Sequence, residues 1–274
     1  DELADAVKSA GFDILITANN RSLDRGKTGL ERTIETLNTK GLIKTGTFKD
    51  NNPREKEYPL IIEKKNIRIA ILNYTYGTNG LKVETPNIVN YIDRGTIKND
   101  LKKAETAEPD FIIVTIHWGL EYQREESPDQ RSLAQFILEN GADAVIGSHP
   151  HVVQPVKTYS YNADSSDYKL VVYSLGNFIS NQRKRYTDGG IVFEMELLKT
   201  GGKTKLDDFS YLPFWVHKPM KYPEGRHFVI LPGINSNIYA DIMNMTEDDR
   251  EKMNTFLKDT KDHLKEIKIT KFEF

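Results

Sequence analysis

Three short segments place ligand-type side chains directly after apolar runs. The first is Ala18-Asn19-Asn20-Arg21-Ser22-Leu23-Asp24, following FDILIT at residues 12–17. The second is His117-Trp118-Gly119 with Glu121-Tyr122, following FIIVTI. The third is Gly147-Ser148-His149-Pro150-His151, following a short apolar run at 144–146. An Asn amide oxygen is a neutral ligand for a hard or borderline cation, and imidazole is the commonest metal ligand. Pro150 forbids a helical ladder and biases His149 toward extended chain, in which His149 and His151 project to one side. Two imidazoles facing one point suit a divalent metal. Each segment alone also has a plainer reading. Asn and Asp cap turns, a strand-end histidine bonds a carbonyl, and His-x-His arises by chance. The joint pattern is more selective: of six histidines, three sit in these segments, while His217, His227 and His263 lie elsewhere, the last on a solvent-facing late helix. Asn20, His117, His149 and His151 are the candidate metal ligands. This set is short of the carboxylates that a dinuclear site normally adds.

The elements that must position these residues follow from hydrophobic spacing. Leu3, Ala4, Val7 and Ala10 recur at helical intervals, with Gly11 as a stop. A buried strand follows at 12–17. A helix from about Thr28-Gly29 to Gly41 carries Leu30, Ile34 and Leu37 on one face. Strands are predicted at 61–62, 67–74 and 111–117, with a helix at 93–107 striped by Ile97, Leu101 and Ala104. A helix at 129–140 leads to a strand at 144–146. Strands at 170–175, 191–198 and 209–216 follow. Residues 158–168 read as a polar surface loop and 199–206 as a hairpin-like turn. Thr246 opens a helix running to about Ile267, with Asp249 at the capping-box position usually held by Glu or Gln. Alternation of strand and helix up to about residue 150 implies parallel strands covered by helices, and the strand-rich remainder implies an antiparallel sheet. The joint solution is an α/β fold of two packed sheets with helices outside. Ligands in such folds collect at the carboxyl ends of strands, where all three segments lie.

Composition narrows the function. The 274 residues are 38% hydrophobic and 28% charged, enough for a substantial core. Lys and Arg number 38 against 40 Asp and Glu, so the basic footprint of a general nucleic-acid binder is missing. With no cysteine, disulfide scaffolds and Cys-based zinc sites are excluded. No apolar run approaches the roughly 20 residues of a membrane helix.

The segments GFDILITANNRSLDRGKTGLERTIETL, FIIVTIHWGLEY, GADAVIGSHPHVVQPV and LVVYSLGNFISNQ resemble, in order and spacing, the CapA or PGA_cap family of capsule (poly-γ-glutamate) biosynthesis proteins, relatives of calcineurin-like metallophosphoesterases. The resemblance covers most of residues 2–182 and is loose beyond about 200. It implies a metallophosphatase-like four-layer sandwich, two facing mixed sheets flanked by helices, spanning 1–274 as one domain. It places Asn20, His117, His149 and His151 on the family's ligand positions, for Mn, Zn or Fe in a site that can be dinuclear. Glu121, Asn177 and Gln182 match positions near the family's pocket. Arg21 replaces the histidine of the family's Asn-Asn-His. Arginine grips anions bidentately but shuttles no proton. The resemblance also implies an N-terminal strand ending in Gly-Asp and a second acidic loop. Neither is in this sequence, so the expectation is a missing front that holds acidic ligands and a signal or membrane anchor.

Two functions stay open. One is a metal-dependent hydrolase acting on a phosphoester, or on an amide or ester in an acidic polymer, with Arg21 and Glu121 as catalytic candidates. The other is a non-catalytic accessory protein that binds a polyanion such as poly-γ-glutamate through a basic pocket of Arg21, Arg25 and the run Arg183-Lys184-Arg185, with Asn177 and Gln182 beside it, although such a charge run is also the mark of a solvated loop. The resemblance places either at the cell envelope, alongside capsule-synthesis machinery.

Overall fold

The computed structural model describes residues 2–160, 168–219, 228–243 and 245–268. His227 lies outside these residues. The chain divides into two compact units, the first formed by Asp1–Trp118, Ser132–Ile146 and Gly201–Thr204, the second by Gly119–Arg131, Gly147–Thr200 and Lys205–Phe274.

In the first unit, α1 (Glu2–Ser9) precedes β1 (Ile14–Ile16), and α2 (Gly26–Thr39) precedes β2 (Ile43–Thr45). Leu30, Ile34 and Leu37 are the buried stripe of α2, as their spacing predicts. At the α2 end, the Leu42 N–H donates to the Leu37 carbonyl at 2.9 Å, the six-to-one bond that closes a helix at Gly41. β1 and β2 pair in parallel. Then come β3 (Thr47–Phe48), α3 (Asn51–Glu57), β4 (Leu60–Lys64), β5 (Ile67–Thr75), β6 (Ile88–Val89), α4 (Arg94–Thr106) and β7 (Phe111–His117). Four of these short elements, β2, β3, α3 and β6, are too brief to show a hydrophobic period, and sequence patterning gives no sign of them.

β4 pairs antiparallel with β5, and β5 pairs parallel with β7. β8 (Ala144–Ser148) lies next to β7, preceded by α5 (Pro128–Glu139). α4 crosses between the parallel β5 and β7 and buries Ile97, Leu101 and Ala104. It also buries Asp100, whose carboxylate takes the Arg54 guanidinium and the Tyr74 hydroxyl at 2.8 and 2.9 Å. That pairing removes the cost of an isolated buried charge.

The second unit is strand-rich. β9 (Val156–Ser160) pairs antiparallel with β10 (Tyr168–Val172). The start of the segment expected as a surface loop is therefore strand through Ser160, and 161–167 lie outside the described residues. β11 (Gly189–Thr200), β12 (Lys203–His217) and β13 (Val229–Pro232) form a three-stranded sheet; the turn expected over 199–206 is confined to Gly201-Gly202, and the rest of that range is strand. α6 (Ser236–Ile242) and α7 (Glu247–His263) complete it. Thr246 caps α7, accepting the Asp249 N–H at 3.1 Å. α7 ends at His263 rather than Ile267, and it is no free surface helix. Met253, Phe256 and Leu257 pack with Trp215, Leu231, Ala240 and Met245 in one core. His263 is half-buried, its Nε2 at 3.1 Å from the Arg124 carbonyl.

Candidate functional site

In the first unit the candidate residues gather where strands end. β5 and β7 are in register so that Thr75 lies opposite His117, and both strands stop there. The loop after β1 is anchored to the same place by Asn73, a fully buried amide in β5. Its Oδ1 accepts the Ala18 N–H at 2.7 Å. Gly46 makes this approach possible. A Cβ on Gly46 would lie 2.0 Å from the Asn73 Oδ1 and 2.7 Å from the Ala18 nitrogen, and its φ is +109°.

The two asparagines of this loop have different roles. Asn19 is a turn residue: its Oδ1 accepts the Arg21 N–H at 2.8 Å, and its own N–H donates to the Ser22 hydroxyl at 3.0 Å. Asn20 is buried and aimed. Its amide nitrogen donates to the Tyr76 hydroxyl at 3.2 Å and to the Asn79 Oδ1 at 3.1 Å. This leaves its Oδ1 3.1 Å from the His117 Nε2. The His117 ring also stacks on Tyr76, 6.2 Å between centroids and 8° from parallel. An amide oxygen only accepts, so the contact between Asn20 and His117 is a hydrogen bond donated by the His117 Nε2–H.

The second unit holds the histidine pair. His149 and His151 are not in extended chain; their φ values are +107° and +61°. Pro150 does keep the segment out of helix, but the direction change comes from a strained turn. Such strain persists only where the surroundings over-determine it, and it clusters at functional positions. The rings still come together, 6.1 Å between centroids. His149 is buried, and burial pushes its pKa down, with His151 adding in the same direction and Glu121 opposing.

Hydrogen bonds settle the tautomer of His151. The Asn177 amide nitrogen donates to the Thr187 carbonyl at 2.7 Å, and a carbonyl can only accept. Asn177 Oδ1 is therefore the atom 2.8 Å from the His151 Nδ1, which must carry the proton in the neutral ring. Nε2 is left as the basic nitrogen, with a Glu121 carboxylate oxygen 3.7 Å away. Gln182 braces the same group, accepting from Asn177 at 3.2 Å and donating to the Tyr122 hydroxyl at 3.3 Å. Tyr122 stacks on His151 at 5.8 Å, and its N–H donates to the Pro150 carbonyl at 2.8 Å.

Two buried glutamines hold the loop that carries Glu121 and Tyr122. Gln130 donates to Gln154 at 2.9 Å, and Gln154 donates to the carbonyls of Gln123 and Glu125 at 2.8 and 3.1 Å. Gly119 lets this loop lie against Gln130, whose amide an added Cβ would meet at 2.7–2.8 Å.

The arginines divide as well. Arg21 is exposed and stands 3.5 Å from Asp24. Arg21, Arg25 and Arg32 border a groove of about 610 Å³ floored by Leu3, Val7, Leu15, Ile16, Leu30 and Leu37. Arg183 is turned to its own backbone, donating to the carbonyls of Val216 and Ser180 at 2.5 and 2.7 Å. Sequence reading picked out Asn20, His117, His149, His151, Glu121, Asn177 and Gln182. It missed Asn73, Tyr76 and Asn79, although an amide following the apolar run IAIL was a legible sign that Asn73 has a partner to satisfy.

Among the described residues, no three His, Asp or Glu side chains converge to hold a metal ion. A catalytic zinc site uses three protein ligands and a structural one four. The donors on view do not make a metal centre by themselves, and no chemical step is assigned to one.

The arrangement defines a mixed α/β protein of metallophosphatase-like fold. Among solved structures, the NAD nucleotidase NadN of Haemophilus influenzae superposes with a TM-score of 0.53 at 13% identity, over 99% of this chain and 50% of that one. The chain belongs to the bacterial capsule synthesis protein PGA_cap family, whose profile matches residues 1–182. The capsule biosynthesis protein CapA of Bacillus anthracis is 30% identical over 207 residues, covering 73% of this chain and 48% of that protein. The PGA biosynthesis protein CapA of Bacillus subtilis strain 168 is 27% identical over 226 residues, covering 81% and 56%. The chain thus spans about half the length of these curated relatives.

Proposed function

We propose that this chain serves the synthesis of an anionic surface polymer at the cell envelope by binding the polymer or its phosphoester-bearing precursors, without turning them over. The groove in the first unit carries this reading. Three arginines, Arg21, Arg25 and Arg32, border an apolar floor, with Asp24 the one carboxylate among its lining residues. Such a surface suits an acidic chain whose aliphatic segments cover the exposed Leu3 and Ile16 while its charges meet guanidinium groups. The names of the two Bacillus relatives concern capsule and PGA biosynthesis, which supports the same kind of polymer. Among the described residues no helix is long and apolar enough to cross a membrane.

Arg21 also supports a binding role. It stands where the family resemblance places a histidine, and a guanidinium grips anions without shuttling protons. The second reading, a metal-dependent hydrolase using Mn, Zn or Fe, draws support from Asn20 and His117 standing side by side, an amide oxygen and an imidazole being donors that such metals accept. Titration of the purified protein with a γ-linked glutamate oligomer separates the two. Binding that weakens roughly tenfold in the Arg21→Glu, Arg25→Glu variant, with no phosphoester turnover in Mn²⁺ or Zn²⁺, is the expected result. Robust turnover abolished by His149→Ala with His151→Ala overturns it in favour of the hydrolase.

A further inference from the structure

The segment Arg183-Lys184-Arg185 is three consecutive cations, and the second unit gives each a different task. Arg183 donates to the carbonyls of Val216 and Ser180. Arg185 makes a two-pronged pair with Asp259, at 2.8 and 2.9 Å, and lies 5.0 Å from the Tyr186 ring centroid. Arg124 lies 4.3 Å from that same ring centroid. Both arginines flanking Lys184 are thus committed to the protein itself, and the backbone between them is pinned. Lys184 is exposed, and among the described residues its ammonium pairs with no carboxylate. It lies 5.6 Å from the centroid of Tyr122, whose ring is stacked in turn on His151.

Tyr122 is set in place with some care. It has φ of +66°, unusual for an aromatic residue, and is held by Pro150 through its N–H and by Gln182 through its hydroxyl. The result is a lysine laid over an aromatic ring at the edge of the histidine turn. Glu121 lies 3.7 Å from the His151 Nε2, while Lys184 is the cation over the Tyr122 ring that stacks on the same histidine, so an anion is drawn to the lysine.

We propose that Lys184, set on the Tyr122 ring, is the contact for an anionic oxygen group, carboxylate or phosphate, of the ligand at the His149–His151 turn. Arg183 and Arg185 are framework. The inference rests on the reading that this chain binds an anionic polymer or precursor, and it names a contact in the second unit, apart from the arginine groove.

The test is titration of the whole chain with two probes, a γ-linked glutamate oligomer and inorganic phosphate. Folding of each variant is checked by circular dichroism. In Lys184→Met, affinity for the probe that binds falls about three- to fivefold and its salt dependence becomes shallower, the size expected of one exposed charge pair. Lys184→Arg restores binding, and Lys258→Met, which removes an exposed cation paired with Asp262 on α7, leaves it unchanged. Loss with the oligomer alone identifies a carboxylate ligand, and loss with phosphate identifies a phosphate group. Wild-type binding that is unaltered in Lys184→Met overturns the inference while leaving the anionic-ligand reading intact. If the wild type binds neither probe, that reading itself fails.

Discussion

Amide side chains decide which atoms of this protein are offered to a ligand. Asn20 presents its oxygen toward His117 because Tyr76 and Asn79 take its nitrogen. His151 presents Nε2 because Asn177, oriented by the Thr187 carbonyl, accepts from Nδ1. Outer partners of this kind fix ring orientation and tautomer in ligand sites generally. The expected outcome is measurable without any ligand. Nitrogen-15 chemical shifts should show His151 protonated on Nδ1 near pH 7, and Asn177→Leu should mix the two tautomers. Dominance of the Nε2-protonated form in the wild type would contradict the arrangement. These histidines stood out in the sequence because three of the chain's six lie directly after apolar runs. Their geometry did not, since the turn relies on positive φ at His149 and His151, which neither side chain favours.

At the scale of elements, a few close approaches hold the loops. Gly46 lies against Asn73 and Ala18, so Gly46→Ala must displace the loop that carries Asn20. The cost combines an unfavourable φ with backbone overlap and should reach about 1–3 kcal/mol, read as a lowered denaturation midpoint. α7 gives a contrasting case. Thr246→Ala removes one cap bond and should cost about 1 kcal/mol with the fold otherwise unchanged. Long elements such as α2, α4 and β7 were legible because a single buried stripe or run repeats along them. β9, β13 and α6 were missed: they are short, and their burial depends on partners distant in sequence.

For the molecule as a whole, buried histidines couple stability to pH. Burial is the main cause lowering the pKa of both His217 and His263; Arg183 reinforces it at His217 and Arg124 at His263, against the pull of nearby carboxylates. The folded state therefore binds fewer protons than the unfolded state just below the ordinary value of 6.5. Stability rises with pH where the unfolded chain holds more protons, so it should be full above that value and decline as pH falls through it. Thermal melts between neutral and mildly acidic pH check this, and His217→Gln should flatten the decline. Family membership and the α/β class were determined by the sequence alone, because motif order and hydrophobic period are properties of the chain itself. Tertiary structure decided how residues named in the sequence are partnered: the Asn20 oxygen faces His117 while Asn19 turns onto its own loop, and Arg183 and Arg185 bond to the protein itself while Lys184 lies over Tyr122. These choices turn on hydrogen bonds and ion pairs between residues far apart in the chain, whose partners exist only once the strands and loops have packed.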